Sequence, residues 1–182
     1  VDIAATMTKS TAGSIVALAN RTGGTITLSR NLSATGLASG ISLNSNTGGT
    51  YTFSGATKTL NTGANAAVTL TGNTGATINF TGGGLDIDTT SGDGFTATGG
   101  GTVNVSGAGN NIDTATGRGL QFNNAMIVRG PKLLRACKPH PRAFGKCPLT
   151  RHVIAAQNNV LTGYNDGLTV GRAENVVGGH HQ

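Results

Sequence analysis

The stretch "ALANRTGGTITL" (residues 17–28) returns 25 positions later as "SLNSNTGGTYTF" (residues 42–53). This repetition restricts the fold more than any other feature of the chain. The apolar pairs that flank one polar residue keep the same beat. A first set, Val16/Leu18, Ile41/Leu43, Val68/Leu70, Phe95/Ala97 and Leu120/Phe122, advances by 25, 27, 27 and 25 residues. A second set, Ile26/Leu28, Tyr51/Phe53, Ile78/Phe80 and Val103/Val105, advances by 25, 27 and 25. Leu60, Ile87 and Ile112 form a lighter third set, each seven residues after a second pair and eight before the next first pair.

Apolar–polar–apolar spacing puts both large side chains on one face of a strand. Between the pairs lie "NSNTGG", "TGNTGA", "TTSGDG" and "TATGRG". These are turn chemistry, since Gly supplies positive φ and Asn or Asp tolerates it. Strands of three to five residues are expected, and this much Gly disfavours helices. Three short strands per 25–27 residues describe one coil of a solenoid, each strand bonded to its equivalent above and below. The expected fold is all-β: a right-handed, three-faced parallel β-helix of about four to five coils over residues 1–127. Tyr51, Phe53, Phe80, Phe95 and Phe122 fall on inward positions. The rival is an antiparallel β-sandwich with hairpins every 8–12 residues, which has no reason to hold a 25-residue register.

Composition adds a boundary. Of 182 residues 30 are Gly and only 11% are charged, a bias often found in disordered chains, but the regular β-branched and aromatic beat argues against disorder before residue 127. Residues 1–127 carry five basic and five acidic side chains; residues 128–182 carry eight and two, with all four Pro, both Cys and all four His. No run of 18 apolar residues is present, so no membrane-spanning helix is expected. The chain opens Val1-Asp2 without a charged-then-apolar leader, which reads as a piece of something longer.

The strings "GGTITL", "GATINF" and "GGGTVNV", with the series "LNTGANAAVTL", "IDTTSGDGFTA" and "IDTATGRGLQF", resemble the β-strand repeat arrays of large bacterial surface and secreted proteins, including autotransporter-like passenger domains and β-helical adhesins. The resemblance covers roughly residues 13–127. It implies a scaffold without a catalytic motif, exported to the cell surface.

Outward positions supply the candidate chemistry. Thr25, Thr27, Thr50, Thr52, Thr77 and Thr102 line the second face as a ladder, with Asn79 and Asn104 completing it. Such an array can order water or bind ice; equally, exposed strand positions favour Thr. On the third face Asn61, Asp88 and Asp113 follow the inward residues, Asp86 lies beside Asp88, and Asp93 sits in the next turn. Asp86, Asp88 and Asp113 could be solvated side chains, ligands for Ca²⁺, or the acid–base pair of a polysaccharide-cleaving enzyme. Only Arg118 is near in sequence to bind an acidic sugar. The Gly-rich strings do not continue into Gly-Lys-Ser/Thr, so they are turns and not phosphate loops. With His and Cys absent from residues 1–127, no Ser-His-Asp or Cys-His set can form there.

Residues 128–152 form a basic segment rich in Pro, Cys and His; residues 128–151 hold seven basic side chains and no acid. It reads as a cap over the solenoid end, as a patch for anionic glycans, lipid headgroups or nucleic acid, or as a stretch foreign to the repeat. Phe144 is its only aromatic, which argues against specific nucleic-acid recognition. Cys137 and Cys147 stay unpaired, join in a disulfide, or share a zinc ion with His140 and His152. Residues 153–182 partly recover the repeat style, with Val160/Leu161 and Leu168/Val170 as further strands.

The expected function is that of a structural or adhesive segment without catalysis or cofactor, meeting a surface glycan or protein and able to self-associate end to end. A polysaccharide-active enzyme and a water-ordering Thr face are the rivals.

Overall fold

The computed structural model describes residues 1–123 and the strand segments 126–129, 156–157 and 161–162. The chain climbs in windings of three strands. The first holds β1 (Asp2–Ile3), β2 (Met7–Lys9) and β3 (Gly13–Ala19). The second holds β4 (Thr22–Leu28), β5 (Leu32–Ala34) and β6 (Ala38–Asn44), and the third β7 (Gly48–Phe53), β8 (Lys58–Gly63) and β9 (Val68–Thr71). Next come β10 (Thr77–Phe80), β11 (Leu85–Thr89) and β12 (Phe95–Thr98), then β13 (Thr102–Val105), β14 (Asn111–Thr114) and β15 (Leu120–Asn123). A partial winding follows in β16 (Met126–Arg129), β17 (Ala156–Gln157) and β18 (Leu161–Thr162).

Every third strand stacks on the last. Sheet one runs β3-β6-β9-β12-β15-β17, sheet two β1-β4-β7-β10-β13-β16-β18, and sheet three β2-β5-β8-β11-β14. All the pairings are parallel. Ile41 sits beside Val68, and Val68 beside Phe95, which excludes the hairpin-built sandwich. The first, second and third apolar sets occupy sheets one, two and three in the expected register, and five complete windings form a β-solenoid.

The repeat fixes what lies inside. Tyr51, Phe53, Phe80, Phe95 and Phe122 are buried, with Ile26, Ile41, Leu43, Leu60, Val68, Ile78 and Ile87 in the same core. Phe53 stacks on Phe80 at 4.9 Å between ring centres. Phe80 meets Phe95 edge-on at 5.5 Å, crossing from sheet two to sheet one, and Phe95 meets Phe122 at 5.8 Å. A parallel stack places like side chains over one another, and aromatic pairs in these geometries contribute about 0.5–1.5 kcal/mol beyond their area.

Three features differ from the sequence expectation. First, the early strands are longer than three to five residues: β3, β4 and β6 have seven. The Gly pairs expected in turns lie within β4 and β7, where Gly24 and Gly49 take φ of 86° and 98°. A Cβ on Gly48 would stand 2.4 Å from the Thr22 carbonyl oxygen, so only Gly lets these rungs close. Second, the third set begins earlier. Met7, Leu32 and Lys58 are in register, as are Lys9, Ala34 and Leu60. Third, Ile127 pairs with Leu161, 34 positions on. That step exceeds 25–27, which explains why the beat is lost after residue 127. Leu161 lies in β18, whereas Val160, Leu168 and Val170 lie outside the described residues.

Candidate functional site

The outer faces carry the polar residues in columns. On sheet two, Thr25, Thr50, Thr77 and Thr102 form one column, and Thr27, Thr52, Asn79 and Asn104 the other. Rungs are ~4.8 Å apart, close enough for side chains to bond along a column. Asn104 Nδ2 donates to Asn79 Oδ1 at 2.6 Å, and Asn79 Nδ2 donates to Thr52 Oγ1 at 3.2 Å. The two Asn positions therefore continue the ladder as a hydrogen-bonded chain.

A second array escaped the sequence reading. On sheet one Ser42, Thr69 and Thr96 form a column beside Asn44, Thr71 and Thr98. Its signal was the polar residue inside and after each first-set pair, at the same spacing. The Thr96 hydroxyl is buried without a hydrogen-bond partner.

Sheet three carries the carboxylates in two neighbouring columns. Asp88 lies between Asn61 and Asp113 in one column, and Asp86 between Thr59 and Asn111 in the next. Asn111 Nδ2 donates to Asp86 Oδ1 at 3.4 Å. Arg118 does not serve this face. It reaches one rung back to Asp93, with Nε donating to Oδ1 at 3.2 Å and a terminal guanidinium nitrogen to Oδ2, while its backbone N–H also donates to Oδ1. This contact holds the Asp93 carboxyl below its ordinary range and raises the guanidinium. Among the described residues, no three His, Cys, Asp or Glu side chains gather as a metal site. Cys137, Cys147, His140 and His152 lie outside the described residues. No described helix is long and apolar enough to cross a membrane.

Polar groups also enter the interior. Asn46 and Asn73 are fully buried at the corner after sheet one. Asn46 Nδ2 donates to Asn73 Oδ1 at 2.8 Å and Asn73 Nδ2 to the Leu43 carbonyl at 3.0 Å. Asn73 Oδ1 also accepts the Asn46 backbone N–H, and Asn46 Oδ1 that of Arg21. Each amide thus satisfies backbone that the turn leaves open.

Lys58 is the second surprise. It occupies the inner column between Leu32 and Leu85, 1% exposed, and Nζ donates to the carbonyls of Gly55 and, at 2.9 Å, Thr81. Burial pulls its ammonium down to about 8. Alignment of Leu32, Lys58 and Leu85 at 26 and 27 residues was the available clue.

No known family, characterised protein or solved structure matches the chain. The case for function therefore rests on geometry: polar columns on three sheet faces, with the buried Asn and Lys residues bonded to backbone.

Proposed function

We propose that this chain is a structural and adhesive segment of an exported bacterial surface protein, akin to the β-helical passenger regions its repeats resemble, and that it performs no catalysis. The observation that carries the reading is the division of labour between columns. Inward positions are spent on one continuous apolar core, while outward positions repeat Thr, Ser and Asn at fixed intervals on two sheets. Repeated hydroxyls and amides suit weak contacts with a carbohydrate surface, made many times over, so that avidity arises from number. The outward position of Asp86 and Asp88 on an open sheet face favours a surface role over an enclosed acid–base pair.

The test uses beads coated with the full chain on immobilised neutral polysaccharide. Attachment should rise steeply with coating density and fall in the Thr50→Val/Thr52→Val/Thr77→Val variant. Cleavage of a polysaccharide by the wild type, abolished by Asp88→Asn, would instead establish the enzyme reading.

The register of Thr25, Thr50, Thr77 and Thr102 supports a second reading, a water-ordering face. It requires inhibition of ice growth by the wild type that Thr52→Tyr removes.

A further inference from the structure

Four Asn-X-Ser/Thr triplets lie in the described residues: Asn20-Arg21-Thr22, Asn31-Leu32-Ser33, Asn79-Phe80-Thr81 and Asn104-Val105-Ser106. This is the acceptor pattern for N-linked sugar: the Asn carries the sugar, and the hydroxyl two residues on is part of what a transferase recognises. A folded chain does not offer the four equally, because a triplet must lift from the surface to enter an active site. Leu32, Phe80 and Val105, the middle residues of three triplets, are core side chains. Asn104 Nδ2 donates to Asn79 Oδ1 and Asn79 Nδ2 to Thr52 Oγ1, so both of these amides are engaged in the sheet-two ladder. Asn31 Oδ1 accepts the Thr57 backbone N–H.

The first triplet differs on each count. Asn20, Arg21 and Thr22 are all exposed, and among the described residues the Asn20 carboxamide has no hydrogen-bond partner. Asn20 stands at the corner between β3 and β4 with φ of 56°, a conformation that Asn adopts more readily than most residues. Its exposure belongs to the corner. Ser45, the equivalent position one winding on, has a winding on either side, takes the same φ of 56° and is exposed as well.

We propose that Asn20 is an N-glycosylation site, the one acceptor triplet among the described residues that the folded solenoid presents to a transferase. The donor is a sugar activated at C1 by a diphosphate, linked to a nucleotide or to a lipid. Asn20 Nδ2 forms the new bond to C1, the C1–O bond breaks with its electron pair leaving on the diphosphate, and one Nδ2 proton passes to a base of the transferase. A sugar here occupies the ridge between the sheet-one and sheet-two faces and takes no position in either polar column. The inference does not rest on the adhesive reading, since occupancy is read by mass whatever those faces bind.

Peptide mapping by mass spectrometry of the full chain, purified from the cells that produce it, should find sugar on Asn20 and none on Asn31, Asn79 or Asn104. A single hexose identifies the nucleotide-linked donor, and a preassembled oligosaccharide the lipid-linked one. Asn20→Asp and Thr22→Val should each abolish the modification, whereas Thr22→Ser should retain it, all three with unchanged circular dichroism. If Thr22→Val does not fold, Asn20→Asp and Thr22→Ser decide. A bare Asn20 in the wild type, sugar that persists in folded Thr22→Val, or equal occupancy of Asn79 and Asn104 overturns the proposal.

Discussion

Asn73 stands one winding above Asn46 and its side-chain oxygen accepts both the amide and the backbone N–H of Asn46. The relationship ties the corners of two successive windings. Replacing Asn73 with Leu leaves the buried Asn46 backbone N–H unsatisfied and the Asn46 side-chain amide with only the Leu18 carbonyl as acceptor, a loss of about 1–3 kcal/mol for such groups. Urea unfolding of Asn46→Ala, Asn73→Leu and the double variant should show the two costs combining to less than their sum, because one shared contact is removed twice.

The Lys58 ammonium gives stability an alkaline slope. Its pKa is about 8 in the folded protein against 10.5 ordinarily, so between those values the unfolded chain binds more protons. Stability therefore rises with pH across that window, by about 3 kcal/mol in total. Denaturation midpoints at pH 7.5 and 10.5 should differ for the wild type and much less for Lys58→Met. The difference in slope is the readout, because the Met variant also takes a donor from the Gly55 and Thr81 carbonyls.

Inward and outward substitutions on one strand should separate cleanly. Phe80 lies in the aromatic run with Phe53 and Phe95, and Phe80→Ala should cost about 3–5 kcal/mol. Thr77→Ala, three residues earlier on the outer face, should stay within about 0.5 kcal/mol of wild type. Similar losses at both positions in thermal or urea unfolding would contradict the assigned faces.

Gly40 tests how closely the windings approach. A Cβ there would lie 1.8 Å from the Ala67 carbonyl oxygen, which is backbone and cannot swing aside. Gly40→Ala should destabilise by about 1–3 kcal/mol through overpacking, measured by urea unfolding. Gly23, around whose Cβ position the space is open, should tolerate Ala far better.

Removing residues 41–67 excises one full winding and rejoins the chain in register. Val16 then meets Val68, Leu18 meets Leu70, Ile26 meets Ile78 and Leu32 meets Leu85. The shortened chain should retain its β-sheet circular dichroism, with lower stability because one inter-winding interface is lost. It should also lack the alkaline slope, since Lys58 is gone.

How much of this was legible follows from where each residue's partner lies. The apolar pairs announced themselves because Val16, Ile41, Val68 and Phe95 repeat a type as well as a spacing. Their sheets, register and burial could be read directly. Lys58 could not, because a charged residue in an apolar column breaks the type rule while keeping the spacing. Asn46 and Asn73 looked like turn residues, and only the corner geometry shows that their amides point inward to backbone. The Asp93–Arg118 contact joins equivalent turn positions of opposite sign, invisible to a search for repeats of the same residue. The sheet-one Thr columns were present in the same register but were hidden by attention to the Thr-Gly-Gly-Thr motif. After residue 127 the 34-residue step removed the ruler itself.

Because each winding is held to the next by hydrogen bonds and core contacts stacked along the solenoid axis, tension between the two ends would load those contacts one winding after another. Windings should peel singly at low force, each releasing about 80–95 Å of contour at roughly 3.3–3.6 Å per residue. A tether built this way lengthens in even steps while its remaining turns stay folded.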